Sequence, residues 1–235
     1  GSAAAFAAAL GRFTEILNGL PEPPAFPPAG PAFRTTVTAL VTFASCPLRF
    51  HWSSVDRLPR RPSPARRRGA EVHRRIELHH CGGLPPEEAA EPLYDLPAAE
   101  TRPGFDPFET FGRSRFAAMT PVLVEAPFEL RIGGAALAGR IDAVYAPEPG
   151  AWEVVDFKTG VRRDDPALAV QLEAYAVALQ EAGFAEAPRR TRVTFAYLGN
   201  GLLEEVATEV DDAWRVAAKE HLTALLAAAA AGERA

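Results

Sequence analysis

Two residues on one short apolar segment carry the first chemical signal, Asp156 and Lys158 in Val154-Val155-Asp156-Phe157-Lys158. Read as a strand, the segment alternates, so the carboxylate and the ammonium share one side while Val155 and Phe157 share the other. Charged groups at the end of a buried strand are costly unless they are paired or used. A second acid in apolar company, Asp142, lies in Gly139-Arg140-Ile141-Asp142-Ala143. Antiparallel neighbours joined by a short turn bring Asp142 beside Asp156, and two facing carboxylates repel unless a divalent cation lies between them. The backbone carbonyl of Phe157 is a further oxygen for such an ion. On its own the Asp-x-Lys triplet reads as an ordinary same-face ion pair. The facing acid and the hydrophobic flanks on both segments are what a surface pair does not need. His73, in the stretch GAEVHRRIELHH, and Gln171 with Tyr175, in VQLEAYAVAL, complete the candidates. Gln171 and Tyr175 are four apart and so share a helix face. Singly, each of these three reads as a structural histidine, amide or phenol at the edge of a core.

The elements that must position these groups are legible in outline. Thr36 or Thr38 caps a short helix through Ala44, and Pro47 opens a second helix towards Val55. Residues 57–68 read as a proline-broken loop and Gly69 to His80 as a helix. Residues 82–104, rich in proline and acid, read as a surface excursion, and Asp106 to Met119 as one helix. From Val122 the pattern becomes that of strands: VLVEAPFELRI ends at Gly133-Gly134, a hairpin signal, then ALAGRIDAVYA and AWEVVDFK follow. An amphipathic helix from Ala167 to Ala182, a fourth strand over 191–198 and a closing helix from Asp211 to Ala231 complete an α/β domain with a mixed central sheet flanked by helices. That domain is expected over 33–235, preceded by an N-terminal helix and a proline-rich connector over 1–32. Gly1-Ser2, with Met119 the sole methionine, reads as a cloning remnant ahead of a segment cut from a larger protein.

Composition narrows the classes further. The 235 residues are 48% hydrophobic with a formal net charge of −5, which excludes a uniformly basic coat for nucleic acid but not a local patch. Such a patch exists between Arg57 and Arg75, where eight arginines face one acid, Glu71. Within it Arg66, Arg67, Arg68 and Arg74 are candidate phosphate contacts, or else a solvated basic loop. No apolar run is long enough for a membrane span. Two cysteines, Cys46 and Cys81, cannot build a disulfide framework or a four-cysteine metal cluster. Phe157 before Lys158 excludes a phosphate-binding P-loop, which needs glycine there. Lys158 and Lys219 are the only lysines among 25 basic residues. An arginine at 158 could pair with acids but could not readily lose a proton, so the choice of lysine is informative.

Taken in order, GxxxH, GRIDA, VVDFKTG and QLEAY resemble the RecB-like branch of the PD-(D/E)xK nucleases, and TALVTFASCPLRFHW is similar to that branch's opening helices. The resemblance covers residues 36–198 and is closest to the nuclease domain at the C-terminus of bacterial UvrD-type helicase-nucleases. It implies a restriction-endonuclease-like fold and metal-dependent hydrolysis of DNA, by exonuclease rather than sequence-specific endonuclease action, in recombination and repair. Under it, His73, Asp142, Asp156 and the Phe157 carbonyl hold Mg²⁺ or Mn²⁺. Lys158 orients the attacking water or helps deprotonate it; Gln171, Tyr175 and Glu125 support the site and the strand. The implied partners are DNA, as single strands or unwound ends, the helicase motor domains of a parent chain and a partner subunit, in a bacterial cytoplasm. Some relatives carry an iron–sulfur cluster; no cysteine follows Cys81, so none is expected here. The competing reading is a nuclease fold without activity that serves as a DNA-binding or docking module.

Overall fold

The three apolar segments after Pro121 fold as consecutive antiparallel strands, β2 (Pro121–Ile132), β3 (Ala135–Glu148) and β4 (Ala151–Lys158). Gly133 and Gly134, both at positive φ (55° and 79°), make the two-residue turn between the first pair. The computed structural model describes residues 33–58, 64–82, 104–181 and 188–233. The expected N-terminal helix and connector over 1–32 and most of the excursion over 82–104 lie outside the described residues.

Among the described residues six strands form one mixed sheet. β1 (Phe33–Thr36), not anticipated from the sequence, pairs parallel with Ala135–Ala138. β5 (Arg190–Tyr197) pairs parallel with β4, and β6 (Glu204–Val210), also not anticipated, closes the edge antiparallel to β5. Glu204, Glu205 and Glu209 give β6 a charged outer edge, which discourages further strand pairing.

Among the described residues nine helical pieces, counting one π-turn and two 3₁₀ turns, accompany the sheet. α1 (Val37–Ser45) is capped by Thr36, whose hydroxyl accepts from the Ala39 N–H at 3.1 Å. α2 (Pro47–Phe50) starts on proline and continues as a π-turn to Val55. α3 spans Pro64–His80, beginning five residues before the expected Gly69 because Pro64 serves as its first residue. Arg66, Arg67 and Arg68 therefore sit on a helix, not a loop. The expected helix over 106–119 is two pieces, α4 (Pro107–Gly112) and a 3₁₀ turn (Arg115–Ala118). Phe111 and Phe116 are both fully buried, and on one continuous helix a spacing of five would turn them roughly 140° apart. α5 (Ala169–Glu181) follows a 3₁₀ turn over Pro166–Leu168. It is buried on most sides rather than amphipathic, since Val170, Leu172, Ala174, Tyr175 and Val177 are all covered. α6 (Asp212–Glu233) starts at Asp211, whose carboxylate accepts from the Trp214 N–H at 2.7 Å. Among the described residues no helix is long and apolar enough to cross a membrane.

The sheet has a core on each face. On one, Val144, Val154 and Val193 pack with Leu40, Val170, Leu222 and Leu226 from α1, α5 and α6. On the other, Tyr145, Val155 and Phe157 meet Phe111, Phe116 and α3 residues Val72 and Ile76. β3 organises the whole: β2 runs along one edge of it, while the other edge is shared by β1 at 135–138 and β4 from Ala143 onwards. Residues 139–142 face neither strand on that edge. Gly139 sits at this break because a Cβ would lie 2.4 Å from the Phe128 ring and 2.8 Å from Val37.

Candidate functional site

The gap in the edge of β3 is where the chemistry gathers. The register that faces Ala143 with Val155 brings Asp142 and Asp156 into facing positions one residue further on. There the two strands part, and the Phe157 N–H donates to the side chain of Asp142, Oδ2 at 2.8 Å, instead of to a strand carbonyl. A strand residue's N–H and C=O point to the same edge, so the Phe157 carbonyl faces this gap as well. The next residue points the other way: the Lys158 carbonyl accepts from Leu198 N–H at 2.8 Å. Gly199 lets the chain pass this close, since a Cβ there would lie 2.4 Å from the Gly160 backbone.

On the other side of β3, the register places Glu125 of β2 opposite Asp142. Glu125 adopts φ +46°, a left-handed conformation that a glutamate takes only at a cost. From α3, His73 Nδ1 lies 3.5 Å from Glu125 Oε1 and 3.5 Å from Asp142 Oδ2. One ligand atom from each of His73, Glu125 and Asp142 falls within 4.8 Å of the others. Asp156, only 1% exposed, faces Asp142 across the strand pair but is not one of these three. Its Oδ2 stands 2.8 Å from Lys158 Nζ at angles that are not those of a hydrogen bond, so this buried oxygen accepts no hydrogen bond among the described residues.

Lys158 donates instead to Gln171 Oε1 at 2.6 Å, and the Gln171 amide donates to Tyr175 Oη at 2.7 Å. The turn of α5 thus fixes which way the amide faces, and the amide fixes the ammonium against Asp156. The Lys158 ammonium also lies 5.1 Å from the centre of the Phe195 ring.

The electrostatics are those of crowded acids interleaved with His73, Arg140 and Lys158. Burial pushes the Asp142 carboxyl well above its usual range; His73 opposes that push, and Asp156 and Glu125 add to it. Burial alone would lower the pKa of His73, but Asp142, Glu125 and Asp156 together raise it to about 9. Glu77, one helical turn beyond His73, is raised by burial and by Glu125. A carboxylate oxygen held only by an ion pair, crowded acids and an imidazole are a donor set suited to a hard or borderline divalent cation.

All of His73, Glu125, Asp142, Asp156, Phe157, Lys158, Gln171 and Tyr175 line one cleft of about 560 Å³. Arg66, Arg67 and Arg74 line it too; Arg68 does not, because successive helix residues are about 100° apart. Three arginines that the sequence reading passed over, Arg49, Arg140 and Arg163, also line it. For Arg140 a signal existed: two residues before Asp142 on one strand, it shares that residue's side. For Arg49 and Arg163 there was none, since their places depend on how α2 and the loop after β4 fold back.

The PD-(D/E)XK nuclease superfamily matches residues 34–235 of the chain. No curated protein matches it. Among solved structures it is similar to the crystal structure of a protein named "Putative exonuclease" from Eubacterium rectale, with 15% identity and a TM-score of 0.55 over 85% of this chain and 80% of that one. At that identity the likeness speaks for the fold alone. The crystal structure of SSO0001 aligns over 91% of this chain and 82% of that chain at 18% identity, with a TM-score of 0.36.

Proposed function

This chain belongs to the PD-(D/E)XK nuclease superfamily, and from that premise we propose that it is a Mg²⁺- or Mn²⁺-dependent deoxyribonuclease. The observation that carries the proposal is the juxtaposition of Asp156 and Lys158 with the His73, Glu125 and Asp142 cluster in one cleft. A scaffold has no use for buried, mutually repelling carboxylates. His73, Asp142, Asp156 and the Phe157 carbonyl hold the ion in this reading, with Glu125 as a further carboxylate beside them. A bound divalent cation supplies Lewis-acid activation of water and neutralises charge on the phosphate.

The protein's own groups do the rest. Lys158 has three N–H donors, one given to Gln171; the remainder serve a water or a phosphate oxygen. Held against Asp156, the ammonium orients the attacking water and stabilises charge as it develops on the phosphoryl oxygens. Gln171 and Tyr175 keep that ammonium in place and border the strand. Arg66, Arg67 and Arg74 at the rim draw in the sugar-phosphate backbone without reading bases. The order of motifs that resembles the RecB-like branch supports a finer reading. In it the chain is the nuclease module of a bacterial, cytoplasmic helicase-nuclease that processes unwound DNA ends in recombination and repair, as an exonuclease, beside motor domains and a partner subunit.

The test is cleavage of end-labelled linear DNA, single- and double-stranded, with Mn²⁺ or Mg²⁺, by the intact chain, Asp156→Ala and Lys158→Ala, with EDTA as control. Metal-dependent cleavage that both substitutions abolish is the expected result. Cleavage that survives both removes the site assignment. Metal binding without cleavage points to a site that needs its motor, and the absence of both favours the docking module.

A further inference from the structure

Several arginines of this fold are held by acids. Arg115 gives its guanidinium to Glu153 at 2.7 and 2.8 Å and to Glu205 at 3.0 Å, and Arg75 pairs with Asp106 at 3.1 Å while lying over the Phe108 ring. Arg140 is different. Its side chain is 23% exposed, and its ion pair, Nη1 to Glu125 Oε2, is 3.7 Å long, beyond hydrogen-bond reach. Among the described residues the guanidinium makes no hydrogen bond, although it carries five N–H donors in a planar fork. It lines the cleft two residues before Asp142 on the same strand, and it lies beside the carboxylate whose other oxygen, Oε1, is 3.5 Å from His73.

A planar fork of donors that borders the cleft, with no hydrogen-bond acceptor among the described residues, is open to an anion that enters it. The acids near it are poor candidates for that anion. Glu125 offers one distant oxygen, and Glu77 feels the Arg140 charge only as a weaker, opposing influence on its raised carboxyl. A cation shared by Glu125 and Asp142 would weaken the pull of Glu125 on Arg140 further. We propose that Arg140 is a substrate ligand, taking the phosphate oxygens of a DNA strand drawn into the cleft through its guanidinium fork. The proposal rests on the nuclease reading, and it separates Arg140 from the rim arginines: they attract the strand, whereas Arg140 fixes one phosphate at the depth of the metal ligands. Planar two-point recognition of phosphate is the reason for arginine at this place.

The competing role is structural, a counter-charge that keeps Glu125 and Glu77 in position. The experiment follows binding of a fluorescein-labelled oligothymidine strand to the intact chain, Arg140→Gln and Arg140→Lys in Ca²⁺, by anisotropy over a range of salt concentrations. Mn²⁺ affinity is measured on the same proteins by calorimetry. Expected for Arg140→Gln is a loss of about tenfold in DNA affinity and a salt dependence shallower by about 0.7 in log–log slope, one phosphate contact on a single strand. Mn²⁺ affinity should be equal or tighter. Arg140→Lys should keep the slope and recover part of the affinity. Unchanged DNA binding and slope in Arg140→Gln, with cleavage also unchanged, overturns the assignment and leaves the nuclease reading standing. Weaker Mn²⁺ binding with unchanged DNA binding overturns it in favour of the structural role. An intact chain that neither binds nor cuts DNA with Mn²⁺ overturns both.

Discussion

Strand β4 carries two buried acids three residues apart, on opposite faces of the sheet, and the protein treats them in opposite ways. Glu153, 3% exposed, is saturated: Arg115 reaches it through two nitrogens, and the Thr194 hydroxyl donates to it at 2.7 Å. Burial alone would raise its carboxyl; these partners outweigh burial and lower it. Asp156, 1% exposed, keeps an oxygen without a hydrogen bond, and its neighbour Asp142 is pushed up by burial and by the other acids. Every charge in the first region has its answer within the fold, so that region holds the sheet together. The second packs its acids against one another and leaves a buried oxygen without a hydrogen bond, an arrangement that a ligand from solution would complete.

The largest expected effect separates the two regions by activity. Asp156→Asn and Lys158→Met should each lower metal-dependent cleavage by roughly a thousandfold or more, with little change in melting temperature. Loss of folding in either variant, seen by circular dichroism, would break the comparison. Next comes stability. Arg115→Met should cost about 3 kcal/mol, since it strands a buried carboxylate, whereas Asp142→Asn should leave the metal-free chain as stable or more so; urea titration of both variants decides it.

Acidity should act on the two regions with opposite sign. The folded His73 value of about 9 and the raised Asp142 carboxyl mean that the folded chain holds protons the unfolded chain releases. The stability from His73 is therefore complete below its ordinary value of 6.5 and is lost as pH rises towards 9. Glu153, lowered from 4.5, contributes stability above that value which is lost as pH falls below it. Melting curves of the metal-free chain from pH 6.5 to 9 should decline, and His73→Gln should flatten them; an unchanged slope in that variant would detach His73 from the cluster. The smallest effect is calorimetric: Mn²⁺ must displace the His73 proton, so binding near pH 7 should release about one proton, and His73→Gln should abolish most of that release.

Much of this was readable from local pattern. The alternation around Asp156 and Lys158, the Gly133-Gly134 turn and the spacing of Gln171 and Tyr175 are properties of a few adjacent residues, and the fold uses them as written. What escaped depended on distance or on edges. β6 hides because Glu204, Glu205 and Glu209 interrupt any apolar alternation, and β1 because four residues carry no period. Arg115 and Glu153 are separated by 38 positions, so neither announces the other. The same holds for Glu125: its acid was visible within VLVEAPFEL, its backbone conformation was not. Arg140 could be placed beside Asp142 by period, but its lack of a hydrogen-bond partner only emerges once Glu125 and α3 are in position.

Glu125 is strained as well as charged. With φ at +46°, it occupies a conformation that glycine or asparagine would adopt more cheaply. Substitution by either would relax the strand and at the same time remove a carboxylate from a crowded cluster, so both changes favour the folded state. In a copy of this protein no longer required to cut, random change would therefore drift downhill at this position. On the supporting role proposed for Glu125, weaker cutting and a gain in durability would arrive in the same step.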